Sequence, residues 1–420
     1  MKEMNLKLDI IEIKDVCFSS KTEVKNGVLH INKEELLEHI ADTAFTKIDV
    51  ELAKPGESTR IIPVKDVIEP RIKEASDAGF FPGFFGKFDS CGEGVTKVLR
   101  GTAIVTTGTI VGFQEGVIDM SGIGARYTQF SKLNNIVLVA NVKEGIQPAE
   151  HEAAVRIAGI KAAHYIARAG LQVEADYSED YSLAKVKKEL PKVAIIYMVM
   201  AQGLLHDNYI YGVDAKRLHT MLLHPNEVFD GAIVSGNCVV AGDKHTTYDH
   251  QNSPLVKEMF KRHGDTLDFK GLIVVPVYPG LADKQRCCEA AVKTARLLAL
   301  DGVCIPEEGG GNPEADLMMI CRGCEHHGIK TVIMLGPDGV EEPVADTTPE
   351  ADAVINVGDC NEYIIVPHMD KVIGDQEQIK VMSGGAENSI QKDGGMRISL
   401  SAIIGSVNGF GSTHMSSYVR

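Results

Sequence analysis

The 420-residue sequence has no tryptophan, and aromatic residues make up only 6% of it. That leaves little material for an aromatic cage around a quaternary ammonium group. Positive charge is also scarce: 43 Lys and Arg stand against 58 Asp and Glu, a net charge of −15. A nucleic-acid surface needs concentrated Lys and Arg, so nucleic acid is excluded as a partner. The acidic balance suits docking with other proteins. No apolar run approaches the roughly 18 residues of a membrane helix. The start, MKEMNLKLDIIEIKD, mixes charge into every turn and lacks the apolar core of a signal peptide. A cytoplasmic protein without membrane contact is expected. The nine cysteines are odd in number and irregularly spaced, which reads as reduced thiols and not as a disulfide framework. Internal repeats and low-complexity tracts are absent.

What is present is an ordinary globular composition, 44% hydrophobic and 24% charged, in a chain long enough for two or three domains. Residues 1–172 read as a β-rich N-terminal domain plus a helix. KNGVLHIN holds an Asn-Gly corner, and GTAIVTTGTIVGFQEGVIDMSG reads as strand, turn and strand. Residues 148–169 carry apolar positions at helical spacing, with Pro148 at the start and Gly170 after the end. The charged stretch EADYSEDYSLAKVKKELP, about 173–190, reads as a surface connection. From residue 191 to 420, short and nearly continuous apolar runs follow: KVAIIYMVM, DGAIVSG, GLIVVPVYP, DGVCIPEEG, KTVIMLG and ADAVINVG. Such runs suit strands buried on both faces, and the helical patterns between them predict an α/β fold, a doubly wound and mostly parallel sheet.

The DGAIVSG run ends in a small, flexible corner followed by Asn237 and Cys238. A thiol there can attack the preceding carbonyl through a five-membered ring and convert the amide to a thioester. The step needs an aligned thiol, a stabilised oxyanion and a base. Gly236 supplies conformational freedom. His245 and His250 are candidate bases, with Asp243 or Lys244 to orient them. Elimination at residue 238 followed by hydrolysis then leaves a pyruvoyl group. The ordinary alternative is a buried, inert cysteine at a strand end.

The neighbourhood decides between these. Segments 51–71 (ELAKPGESTRIIPVKDVIEPR), 110–122 (IVGFQEGVIDMSG), 202–217 (QGLLHDNYIYGVDAKR), 230–238 (DGAIVSGNC), 306–319 (PEEGGGNPEADLMM) and 350–374 are collinear across nearly the whole chain. Together they resemble the proprotein of the alpha and beta subunits of component B in the glycine, sarcosine and betaine reductases of amino-acid-fermenting anaerobes. The resemblance implies a cut before Cys238, with that residue becoming the pyruvoyl cofactor and no metal. It implies an oxidoreductase that cleaves a C–N bond reductively, acting only within a complex. The partners implied are a selenocysteine-containing subunit of component B, selenoprotein A and, indirectly, component C, which yields acetyl phosphate from a small amine substrate. This chain has no selenocysteine, so it is one part of that catalyst. TTYDHQNSP leans toward sarcosine or betaine over glycine, although a quaternary ammonium cannot condense with a carbonyl.

Further candidates flank the corner. His206, after the KVAIIYMVM run, can bind a substrate carboxylate or pair with Asp207. Glu308 and Asn312 lie in a glycine-rich strand-to-helix turn and are candidate pocket residues, as is Tyr248; Tyr209 and Tyr211 are further aromatic candidates. Cys321 and Cys324 form a C-x-x-C without a second ligand pair, and Cys287 and Cys288 read as packing residues. FFPGFFGKF is either a domain-closing loop or a protein contact. Three alternative readings are a proline-reductase-like pyruvoyl proprotein, an uncut scaffold that presents the selenocysteine subunit, and an amidohydrolase that retains Cys238 as its nucleophile.

Overall fold

The computed structural model describes residues 4–75, 79–112, 115–202, 207–236, 244–336, 348–358, 360, 362–412 and 416–419, the last strand by its backbone. Five of the six apolar runs of the C-terminal half become neighbours in one sheet. Its order is Met221–Leu223, Asp268–Val277, Lys192–Met200, Gly302–Pro306, Lys330–Leu335, Ala353–Asn356 and Ser416–Val419. The five central strands are parallel, and the two edge strands run antiparallel to them. Residues 194–200 of Lys192–Met200 are all buried, as expected for a strand covered on both faces.

Helices Leu281–Leu297 and Glu314–Glu325 pack over this sheet. Cys287, Cys288, Cys321 and Cys324 point from them into its apolar core. Among the described residues, no helix is long and apolar enough to cross a membrane, and no group of three or more His, Cys, Asp and Glu could hold a metal ion.

From Lys192–Met200 the chain adds Met221–Leu223 and Asp268–Val277 on one side, and then Gly302–Pro306 on the other. The strand order therefore reverses between Lys192–Met200 and Gly302–Pro306. In doubly wound sheets, such a reversal opens a crevice beyond the carboxyl ends of the strands, where ligands bind.

The DGAIVSG run is the exception. Its strand, Ile233–Ser235, pairs antiparallel with Asn208–Ile210 in a separate three-stranded sheet and not in the parallel one. An apolar run of this length satisfies either environment, so periodicity alone does not distinguish them.

The N-terminal half is β-rich. Two four-stranded sheets, one built on Asn5–Glu12 and Gly94–Arg100 and the other on Thr102–Gly108 and Asn134–Val142, flank the helix Pro148–Ala167. Asn26 and Gly27 both take positive φ, 52° and 74°, and close the hairpin between Glu23–Lys25 and Val28–Ile31. The charged stretch after the helix holds a strand, Tyr177–Ser182, paired with Asn5–Glu12. Tyr181 anchors it, its ring centroid 4.6 Å from that of Phe229. The chain also returns late to this half, where Lys371–Gly374 pairs with Thr59–Val64.

Candidate active site

The corner is built from both halves of the chain. Asn208 faces Ser235 across the small antiparallel sheet, and the Gly236 amide donates to the Asp207 carbonyl at 3.2 Å. A Cβ at position 236 would sit 2.5 Å from that oxygen, so the approach admits only glycine. The Ser235 amide donates to Thr247 Oγ1 at 2.9 Å. Thr247 in turn donates from its amide and its hydroxyl to the Asp66 carboxylate, at 2.9 and 2.7 Å. Lys244, fully buried, donates from Nζ to Ser235 Oγ at 2.7 Å. Asn237, Cys238, Asp243 and His206 lie outside the described residues.

Glu308 is the second residue beyond the strand Gly302–Pro306 and reaches across the crevice where the strand order reverses. Its Oε2 accepts from the Met200 amide and from Asn208 Nδ2, both at 2.8 Å, and its Oε1 accepts from the His245 amide at 3.3 Å. The His245 ring stacks on Phe410 with centroids 3.6 Å apart, and its Nδ1 lies 3.8 Å from Glu308 Oε1. His250 sits on the buried helix Thr247–Asn252, which Thr246 and Asp249 cap reciprocally. Its Nδ1 shares a hydrogen bond of 2.8 Å with the Tyr197 hydroxyl. Both nitrogens of His245, Nε2 of His250 and Oδ1 of Asn208 are buried without a hydrogen-bond partner among the described residues.

Burial sets the protonation states. It pushes the carboxyls of Glu308 and Asp66 up to about 7, against the pull of the Lys244 ammonium. It holds His245 well below its ordinary range and His250 down at about 3. Both imidazoles are therefore neutral at neutral pH, each with one N–H to donate and one nitrogen to accept. A pair of carboxyls poised near 7 beside a buried lysine is an arrangement suited to proton transfer.

Of the residues singled out in the sequence, His245, His250 and Glu308 come together. Asn312 is exposed and accepts from Gln202 Nε2 at 3.3 Å. Tyr248 is buried in the core, edge-on to Phe130 at 5.4 Å. The Arg156 guanidinium covers Tyr209 at 3.7 Å from the ring centre, and Tyr211 donates to Glu227. These three tyrosines have separate neighbours and form no cage. The FFPGFFGKF loop buries Phe80 and Phe81, exposes Phe88 and lays Gly83 against the Tyr211 backbone. Asp66, Thr247, Tyr197, Asn208 and Phe410 were not legible as site residues. Only Lys244 carried a signal, by its place beside His245.

The family model for glycine/sarcosine/betaine reductase component B subunits matches residues 4–417. This chain belongs to that family. It is 46% identical to the glycine reductase complex component B subunits alpha and beta of Acetoanaerobium sticklandii, over 98% of this chain and 99% of the relative. It is likewise 46% identical to the sarcosine reductase complex component B subunit alpha of Peptoclostridium acidaminophilum, covering 97% and 98%. The betaine reductase complex component B subunit alpha of the same organism is 36% identical, with 91% of each chain covered. These relatives are components of reductase complexes, which supports an oxidoreductase role within a complex. No solved structure gives a significant match.

Proposed function

We propose that this chain is the proprotein of the substrate-binding subunits of an amine reductase, cut between Asn237 and Cys238. The observation that carries this is the relative whose name gives two subunits, alpha and beta, and which aligns with this chain from end to end. In the first step a bond forms between Cys238 Sγ and the Asn237 carbonyl carbon, the C–N bond breaks, and the thiol proton ends on the freed nitrogen. Loss of the Cα proton then expels a thiocarboxylate from Cβ. Water adds to the imine form of the resulting dehydroalanine and ammonia leaves, giving a pyruvoyl group. A second water releases sulfide from the thiocarboxylate. No oxidant or reductant is consumed.

The described residues fit such a group. The unpartnered ring nitrogens of His245 and His250 offer N–H donors to a carbonyl oxygen or to the preceding oxyanion. Their depressed basicity makes them better donors than bases, so Glu308 is the stronger proton acceptor in the cluster. Once formed, the pyruvoyl carbonyl supplies an electron sink for an amine. Equal identity to the glycine and sarcosine relatives, against a lower value for the betaine one, supports a primary or secondary amine. The complex would be completed by a selenocysteine-containing subunit, selenoprotein A and component C, leading to acetyl phosphate.

Denaturing mass spectrometry of the protein from its native host, with and without borohydride, tests the proposal. The expected result is two fragments, 1–237 and 238–420, the second bearing a reducible carbonyl. An intact chain with an unmodified Cys238 overturns it and leaves the uncut scaffold reading.

A further inference from the structure

We infer that Cys17 is a site of thiol–disulfide exchange, with His30 as its base and a small disulfide as its reactant. Three strands place the groups. Asp15–Phe18 pairs parallel with Val28–Ile31, and Glu23–Lys25 pairs antiparallel with the other side of Val28–Ile31. The register sets Val16 and Val24 on either side of Leu29, and one position along it sets Cys17 and Glu23 on either side of His30. Successive side chains point to opposite faces of a sheet. Val16 and Leu29 are fully buried in the N-terminal core, and Val24 packs against it. Cys17, His30 and Glu23 therefore share the outer face, a row of thiol, imidazole and carboxylate, each partly exposed.

Within the row, Cys17 Sγ lies 3.3 Å from His30 Nδ1. With the imidazole proton on Nε2, the thiol donates to Nδ1, which is the arrangement of a nucleophile and its base. Glu23, on the other neighbouring strand, favours the imidazolium that forms as the proton moves. The carboxylates beside the thiol are neutralised by lysines: Glu23 by Lys21 and Asp15 by Lys54, both at 2.7 Å. An anionic disulfide is therefore not repelled there, although the whole chain carries a charge of −15. In the exchange, Cys17 Sγ bonds to one sulfur of the reactant, the reactant's S–S bond breaks, and the proton passes through His30 to the departing thiolate. One thiol and one disulfide are consumed and one of each is formed, so no further oxidant or reductant takes part. The seven other described cysteines are all buried, which bars a disulfide from reaching them.

The test treats the full-length chain with glutathione disulfide at about pH 7, quenches with acid and maps the mixed disulfides by peptide mass spectrometry, so that each cysteine is scored separately. An unassisted thiol is only a few per cent thiolate at that pH, so a base in contact with it raises the rate about tenfold. Cys17 is expected to react before the buried cysteines, and about tenfold faster in the folded chain than in the same chain unfolded in urea. Partial burial alone makes the folded rate the lower of the two. His30→Gln keeps a polar side chain but supplies no base; it lowers the folded rate about tenfold and leaves the thermal midpoint unchanged. If that variant fails to fold, the comparison of folded and unfolded wild-type chain still decides. A folded Cys17 that reacts more slowly than the unfolded one overturns the inference, and so does a folded His30→Gln chain that reacts at the wild-type rate.

Discussion

Arg60 and Lys244 are both fully buried cations close to buried carboxyl groups, yet their surroundings differ in kind. Arg60 is saturated. Its Nε and one terminal nitrogen hold Asp119 at 2.7 and 2.9 Å, and the other contacts reach the Pro367 carbonyl and the Gln376 side chain at 2.9 and 3.0 Å. It bolts together three pieces of chain that are far apart in sequence. Around Lys244, by contrast, four side-chain atoms of His245, His250 and Asn208 are buried without partners among the described residues. Unpaired polar atoms cost stability, so a protein keeps them where they meet something else. Both cations are buried alike, and the hydrogen bonding around them is what tells the two places apart.

The most forceful way to break this comparison is at the saturated site. Arg60→Ala strands the Asp119 carboxylate in the core and should cost about 3–5 kcal/mol in urea unfolding. Replacing both partners, with Arg60→Met and Asp119→Leu, should recover most of that loss and leave the 1–237 and 238–420 fragments unchanged. A double variant as unstable as the single one, or one that no longer cuts, would show that Arg60 serves the corner and not the framework.

The polar site should reveal itself through pH. Burial raises the Glu308 carboxyl from 4.5 to about 7. A carboxyl whose folded pKa lies above its unfolded one binds more protons in the folded state between those values. Its contribution to stability is full below about pH 4.5 and is lost as pH rises through about 7. For Glu308 that difference is up to about 3 kcal/mol. Asp66, raised from 3.8 to about 7, adds in the same direction. Glu308→Gln should therefore flatten the decline in stability between about pH 5 and about pH 8, measured as urea midpoints. An unchanged slope in the variant would remove Glu308 from the titrating cluster.

What the sequence disclosed follows the same division. The five parallel strands were legible because apolar runs recur with helical patterns between them, and the helix from Pro148 because its helical spacing is sustained over 20 residues. His245 and His250 stood out by their short sequence distance from Cys238, and Glu308 by its glycine-rich strand-to-helix turn. The environment of Lys244 was not, since a buried lysine and a solvated one look alike in a sequence. Phe410 stacks on His245 from more than 160 positions away, and Asp66 reaches Thr247 across 181. Such pairings exist only after folding. Tyr248 misled for a related reason: its helix is buried on every side, so an aromatic near the corner was claimed by the core.

The smallest expected effect concerns the other cysteines, and it sharpens what is particular to position 238. Cys321 and Cys324 have the spacing of a metal or redox pair, but both are fully buried among Ile320, Leu317 and Val292. Burial pushes their thiols up to about 11 and about 12, so neither is a thiolate near neutral pH. Cys321 contacts the Thr331 hydroxyl at 3.2 Å, and beyond that the pair fills space. Cys324→Ala should lower stability by about 1 kcal/mol, the loss of one small buried group, without changing zinc content or the fragment pattern. Loss of a bound metal on that substitution would mean that spacing outweighs burial in this chain. With the expected outcome, burial and not spacing decides the chemistry of this cysteine pair. A helix face packed on an apolar sheet makes these thiols inert, whatever their spacing.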